Sequence, residues 1–134
     1  MRTVIVGEPK PRHLELHAAA REALIACESE MRPGRSAGDV FAAHARVLDG
    51  HGLAAHRLAA CGYSLGAKFT PSWMDWPMFY AGNDWPMEPG MVMFAHMILM
   101  DSDSGCAMCL GRTTLLTASG GQILNGADTG LMTR

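Results

Sequence analysis

Residues 88–117 read Glu88-Pro89-Gly90-Met91-Val92-Met93-Phe94-Ala95-His96-Met97-Ile98-Leu99-Met100-Asp101-Ser102-Asp103-Ser104-Gly105-Cys106-Ala107-Met108-Cys109-Leu110-Gly111-Arg112-Thr113-Thr114-Leu115-Leu116-Thr117. Two apolar runs flank a polar, glycine-ended turn. The first, Met91–Met100, is apolar almost throughout, as expected of a strand covered on both faces. Asp101–Gly105 carries the residues of a tight turn. Cys106–Thr117 is a second strand, Ser119-Gly120-Gly121 a further turn, and Gln122-Ile123-Leu124 a short last strand. Residues 126–134 read as a loose tail.

On the amino-terminal side the period changes. Thr3–Gly7 is β-branched and strand-like. Pro9 and Pro11 then open a helix whose face is marked by Leu14, His17, Leu24, Cys27 and Met31. Arg32-Pro33-Gly34 ends it. Ser36 and Asp39 have the spacing of a capping box. They start a second helix with Val40, Ala43, His44 and Val47 turned inward, closed by Asp49-Gly50-His51-Gly52. Two helices joined by a Pro-Gly turn make an antiparallel hairpin. Beyond Leu53 helical periodicity stops. Cys61–Gly66 is extended and bracketed by glycine. Thr70–Pro89 reads as a long irregular stretch, rich in aromatics and holding four prolines. The order strand, helix, helix, strands predicts an α+β fold with a curved, mainly antiparallel sheet. The first strand lacks an earlier partner, so part of the sheet is expected to come from residues outside this sequence.

The chain has 134 residues, 49% of them hydrophobic and 18% charged, enough for one packed domain. A net charge of −2 gives no electrostatic basis for nucleic acid or an anionic membrane as partner. The start is not that of a secretory signal, and Met91–Met100 is too short for a helix to span a bilayer. A soluble, cytoplasmic protein with reduced thiols is the expectation. Of eleven methionines, those between Met74 and Met100 read as a soft, gap-filling core.

Few residues carry obvious chemistry. Cys106 and Cys109 form a C-x-x-C, but no second ligand pair follows. Inside a strand, the two thiols point to opposite faces. A zinc module built from Cys106, Cys109 and His96 is therefore the weakest functional reading. Gly62-Tyr63-Ser64-Leu65-Gly66 has the letters of a nucleophile elbow without the helix that must follow. His96 stands apart from the other histidines. It lies mid-strand among apolar residues, where a polar ring needs a partner.

The motifs Met31-Arg32-Pro33-Gly34, Gly62-Tyr63-Ser64-Leu65-Gly66, Glu88-Pro89-Gly90-Met91-Val92 and Leu110–Thr117, in this order, resemble the C-terminal half of the pita-bread fold. Methionine aminopeptidase, Xaa-Pro dipeptidase, creatinase and ectoine hydrolase share that fold. The resemblance covers residues 1–125 as a partial domain. It implies hydrolysis of a C–N bond in a small peptide, amide or guanidino substrate, and a homodimer. In the peptidases two divalent ions (Mn, Co or Zn) are held by two aspartates, a histidine and two glutamates. The aspartates would precede Thr3. Tyr63 stands at the histidine position, His96 at that of the first glutamate, and Gly111 or Arg112 at that of the last. No cofactor is therefore expected for this chain, and His96, by its family ligand position only, is the one candidate metal-binding residue. Creatinase works without metal through a histidine. On that pattern His96 would serve as acid–base group, Tyr63 as hydrogen-bond donor to an oxyanion, and Arg112 as the partner of a substrate carboxylate. The competing reading is a non-enzymatic remnant that binds a small molecule or pairs with another chain.

Overall fold

The structure, a computed structural model, describes residues 1–66, 76–126 and 128–134. Pro11, whose fixed φ suits a first helical position, starts α1, Pro11–Glu30. Its buried stripe is Leu16, Ala19, Ala20, Ala23, Leu24 and Cys27. Leu14, expected on that face, is half exposed instead. The bulky residues suggested a face rotated toward Leu14 and His17. The alanines decide it, because their small side chains let α1 lie close to both its neighbours. The helix ends as the Met31 N–H reaches back to the Cys27 carbonyl at 3.2 Å.

The Ser36–Asp39 box forms as expected. Ser36 Oγ accepts from the Asp39 N–H at 3.1 Å, and the Asp39 carboxylate accepts from the Ser36 N–H at 2.9 Å. It opens α2, Ala37–Gly50, which buries Val40, Phe41, Ala43, His44 and Leu48. The two helices pack against each other, and α1 covers the central strands of the sheet.

The strands, in chain order, are β1 (Val4–Ile5), β2 (Ala60–Ser64), β3 (Met78–Tyr80), β4 (Val92–Asp101), β5 (Cys106–Thr117), β6 (Gly120–Ile123) and β7 (Met132–Thr133). Five form one antiparallel sheet in the order β3-β2-β4-β5-β6. Its spine is the β4–β5 hairpin, in register from Val92 opposite Leu115 to Asp101 opposite Cys106. A helical hairpin on an antiparallel sheet is the α+β arrangement read from the sequence.

Three details differ from expectation. β4 is not equally covered on both faces. Met93, Ala95, Met97 and Leu99 are fully buried toward the helices, whereas Val92, His96 and Ile98 are only partly buried. The alternation is invisible in the sequence because both faces are apolar. The stretch expected to be irregular contains β3, a three-residue edge strand too short to show a period. Its first part, residues 70–75, lies outside the described residues. Residues 126–134, expected to be loose, are tied down: β7 pairs in parallel with β1, and the Arg134 N–H donates to the Ile5 carbonyl at 2.8 Å. Thr129 is buried, accepting from His17 Nε2 at 2.9 Å on its carbonyl and from Arg21 Nε at 3.0 Å on its hydroxyl. Two residues pairing with two leave almost no sequence signal.

The amino-terminal residues add a further edge beside β5. Met1 and Gly111 exchange both backbone hydrogen bonds, at 2.7 and 3.0 Å. Arg2 bridges Leu110, and Thr3 Oγ1 accepts from the Cys109 N–H at 2.8 Å.

Candidate active site

Strand alternation divides the chemistry between the two faces of the sheet. His96 lies opposite Gly111 on β5, and Ala95 opposite Arg112. His96 and Gly111 therefore share the face away from the helices, while Arg112 points toward them. Tyr63 on β2 lies opposite Phe94 and joins the His96 side.

On that face three rings form a cluster. Phe94 and His96 have centroids 5.2 Å apart, Tyr63 and Phe94 5.6 Å, and Tyr63 meets His96 edge-on at 6.3 Å. Tyr63 and His96 line a cavity of about 230 Å³ whose other walls are Leu58, Ala60, Gly62, Met78 and Ile98. The imidazole is half-buried. Burial is the main cause holding its pKa below the ordinary 6.5, and the Met1 ammonium lowers it further. His96 Nε2 lies 3.1 Å from Cys109 Sγ. Burial raises the Cys109 thiol above its usual range. Glycine at 111 is required by close approach: a Cβ there would lie 2.7 Å from the Ala95 carbonyl oxygen and 2.7 Å from Phe94 Cζ. The sequence put Cys109 and His96 together only as part of the zinc reading with Cys106. Their contact arises from cross-strand register between residues thirteen apart.

Of the three residues expected to carry chemistry, the structure brings Tyr63 and His96 together and places Arg112 elsewhere. The Arg112 guanidinium grips Glu28 of α1 at two points, 2.7 and 2.5 Å, with both side chains largely buried. The expectation that it faces a substrate carboxylate is corrected by this register. Position 111, not 112, faces His96.

The two-metal donor set of the peptidases does not fit these residues. A phenol stands at Tyr63, no side chain at Gly111, and the Arg112 cation is turned away. Among the described residues no three His, Cys, Asp or Glu side chains converge as a metal site would require. The zinc module is corrected as well. Cys106 is buried on the helix side, while Cys109 and His96 share the opposite face.

A helical hairpin over a five-stranded antiparallel sheet is half of a pita-bread fold. Metallopeptidase family M24 matches residues 1–118, and the chain belongs to that family, whose members generally depend on divalent metal. Among solved structures it is similar to the dipeptidase PepE from Mycobacterium ulcerans. The TM-score is 0.87 and the identity 26%, over 98% of this chain and 34% of that one. It is similar also to the Xaa-Pro dipeptidase from Bacillus anthracis, with a TM-score of 0.90 and 17% identity over 99% and 36% of the two chains. The N-terminal domain of the FACT complex subunit SPT16 from chickpea (Cicer arietinum) has the same fold, with a TM-score of 0.80 and 14% identity over 94% and 31%. No curated protein matches the chain in sequence. The chain spans about a third of the length of these structures. Among the described residues no helix is long and apolar enough to cross a membrane.

Proposed function

We propose that this chain supplies the carboxy-terminal part of a hydrolase acting on the C–N bond of a small peptide, amide or guanidino compound. In this it follows the Xaa-Pro dipeptidases, or creatinase and ectoine hydrolase. It works without the two-metal pair, and it does not turn over substrate by itself. The observation that carries this reading is the meeting of His96 and Tyr63 in one small cavity on the sheet face away from the helices. A half-buried imidazole with a lowered pKa is neutral at pH 7 and can take a proton from an attacking water. Water then adds to the electrophilic carbon, and where that carbon is a peptide or amide carbonyl the Tyr63 hydroxyl donates to the developing oxyanion. As the C–N bond breaks, the imidazolium returns its proton to the leaving nitrogen. We assign the protein to the cytoplasm and expect it to work as a homodimer.

The test compares this chain with one extended by the coding sequence upstream of Met1. Each is assayed with Xaa-Pro dipeptides and with creatine, with and without Mn²⁺. Turnover is expected only from the extended chain, independent of Mn²⁺, and lost in its His96→Ala variant. Turnover by the 134-residue chain, or an active His96→Ala variant, would overturn the proposal.

A second reading, a non-enzymatic binding or dimerisation module, draws on the apolar cavity walls and on the same fold in a FACT subunit. Saturable small-molecule binding by the extended chain without turnover of any substrate would favour it.

A further inference from the structure

The contact between His96 and Cys109 has a third member. Cys109 Sγ also lies 2.9 Å from Met1 Sδ, so the thiol touches both an imidazole nitrogen and a thioether. Three separate segments bring them there. His96 and Met1 lie on opposite sides of Gly111 in one row across the sheet. Because Gly111 has no side chain, nothing stands between them, and Cys109, two residues back on the same face, fills the gap. Thr3 fixes the backbone beneath the thiol, accepting from the Cys109 N–H at 2.8 Å and donating to the Cys109 carbonyl at 3.2 Å. All three donors line an open depression of about 420 Å³ on this face.

We infer that Met1, His96 and Cys109 form a binding site for a soft monovalent cation, the cuprous ion. Thiolate and thioether sulfur select Cu(I) over harder divalent ions, and imidazole suits copper as well. The set is poor for zinc, which needs four ligands in a structural site and seldom uses a thioether. As co-ligands at bond lengths of about 2.0 to 2.3 Å, the three atoms would stand roughly 4 Å apart. Both contacts of Cys109 must therefore open by about 1 Å, a movement that rotation of the methionine and cysteine side chains accommodates. On binding, the Cys109 thiol loses its proton to solvent and the thiolate donates to the ion, with no change of oxidation state. The site shares His96 with the proposed hydrolysis, and an ion on His96 Nε2 would take the electron pair that the acid–base role uses.

The test is anaerobic titration of the intact chain with a cuprous acetonitrile salt against a chromogenic Cu(I) chelator, with X-ray absorption of the loaded protein. One ion per chain bound through both sulfur and imidazole nitrogen is expected. Cys109→Ser and His96→Gln should each weaken binding by more than about 100-fold, beyond the roughly 10- to 100-fold cost of losing a merely supporting contact. Cys106→Ser, on the other face, should bind like the parent. Circular dichroism checks that each variant is folded. If Cys109→Ser does not fold, His96→Gln alone decides the outcome. Unchanged binding in His96→Gln, loss of binding in Cys106→Ser, or tighter binding of Zn²⁺ than of Cu(I) would each overturn the assignment.

Discussion

Arg112 of β5 and Glu28 of α1 form a two-point ion pair, Nε to Oε1 at 2.7 Å and Nη2 to Oε2 at 2.5 Å, that ties the sheet to its covering helix. The side chains keep only 16% and 11% of their exposure, so neither charge has much water in place of its partner. Arg112→Ala leaves Glu28 uncompensated and is expected to lower stability by about 3 to 5 kcal/mol. Arg112→Met combined with Glu28→Leu should recover most of that loss, since a well-packed apolar pair often replaces a buried ion pair. Urea denaturation of the three variants checks both. A single variant of unchanged stability but altered substrate binding would return Arg112 to the active site.

His44 gives the fold an acid-sensitive point. The ring is buried in α2 beside Phe41, its Nδ1 finds no hydrogen-bond partner among the described residues, and burial brings its pKa down to about 4. The nearby Arg57 cation adds to the shift, and Asp49 opposes it. The unfolded chain takes up a proton near the ordinary 6.5, the folded chain only near 4. Stability is therefore complete above about pH 6.5 and falls as the pH drops toward 4, by about 3 kcal/mol in all. His44→Leu should flatten the dependence of the urea midpoint on pH across this window. A second loss is expected below it. Asp101, hydrogen-bonded to Arg12 and held at about 2, contributes stability that disappears as the pH falls from 3.8 toward that value.

Gly111 sits where strand and ring leave no room for a Cβ. Gly111→Ala forces the Phe94 ring and the Ala95 carbonyl apart and is expected to cost about 1 to 3 kcal/mol. It should also disturb the aromatic resonances of Phe94 and His96 while sparing α1. Thermal unfolding and proton NMR together report it. An alanine variant as stable as the parent would show that the strands can separate without cost.

The carboxy-terminal residues act as a clasp. Removing residues 128–134 deletes β7, the Thr129 contacts to His17 and Arg21, and the hydrogen bond from the Gly7 N–H to the Arg134 carbonyl at 2.6 Å. At about 1 kcal/mol for each hydrogen bond lost, the truncated chain should be less stable by roughly 2 to 4 kcal/mol. Hydrogen exchange offers a direct check, since the Gly7 and Arg134 amides should be protected in the full chain. Fast exchange at both would mean that the β1–β7 pairing does not persist in solution.

Much of the architecture was legible in order. The hairpin of helices, the Ser36–Asp39 cap and the β4–β5 hairpin each rest on local chemistry: a proline, a side chain reaching three residues along, a polar turn between apolar runs. The carrier of the α1 face was misjudged, since a stripe of alanines is a weak signal beside a few large residues. β3 and β7 escaped because strands of two or three residues have no period to detect. Among candidate site residues, Tyr63 and His96 were legible through family motifs. The place of Arg112 was not, because a shift of one residue along a strand moves a side chain to the other face.

The sequence by itself determined the kinds of element, their order and the family. Those properties are written in periodicity, turn residues and residue type, which depend only on near neighbours in the chain. The tertiary structure alone decided that His96 faces Gly111 and not Arg112, that Arg112 belongs to Glu28, and that Met1 and Cys109 reach His96. These are matters of register and of contacts across more than eighty residues of chain in two of the cases. They are fixed only when the burial of one sheet face against α1 selects which side each strand turns inward.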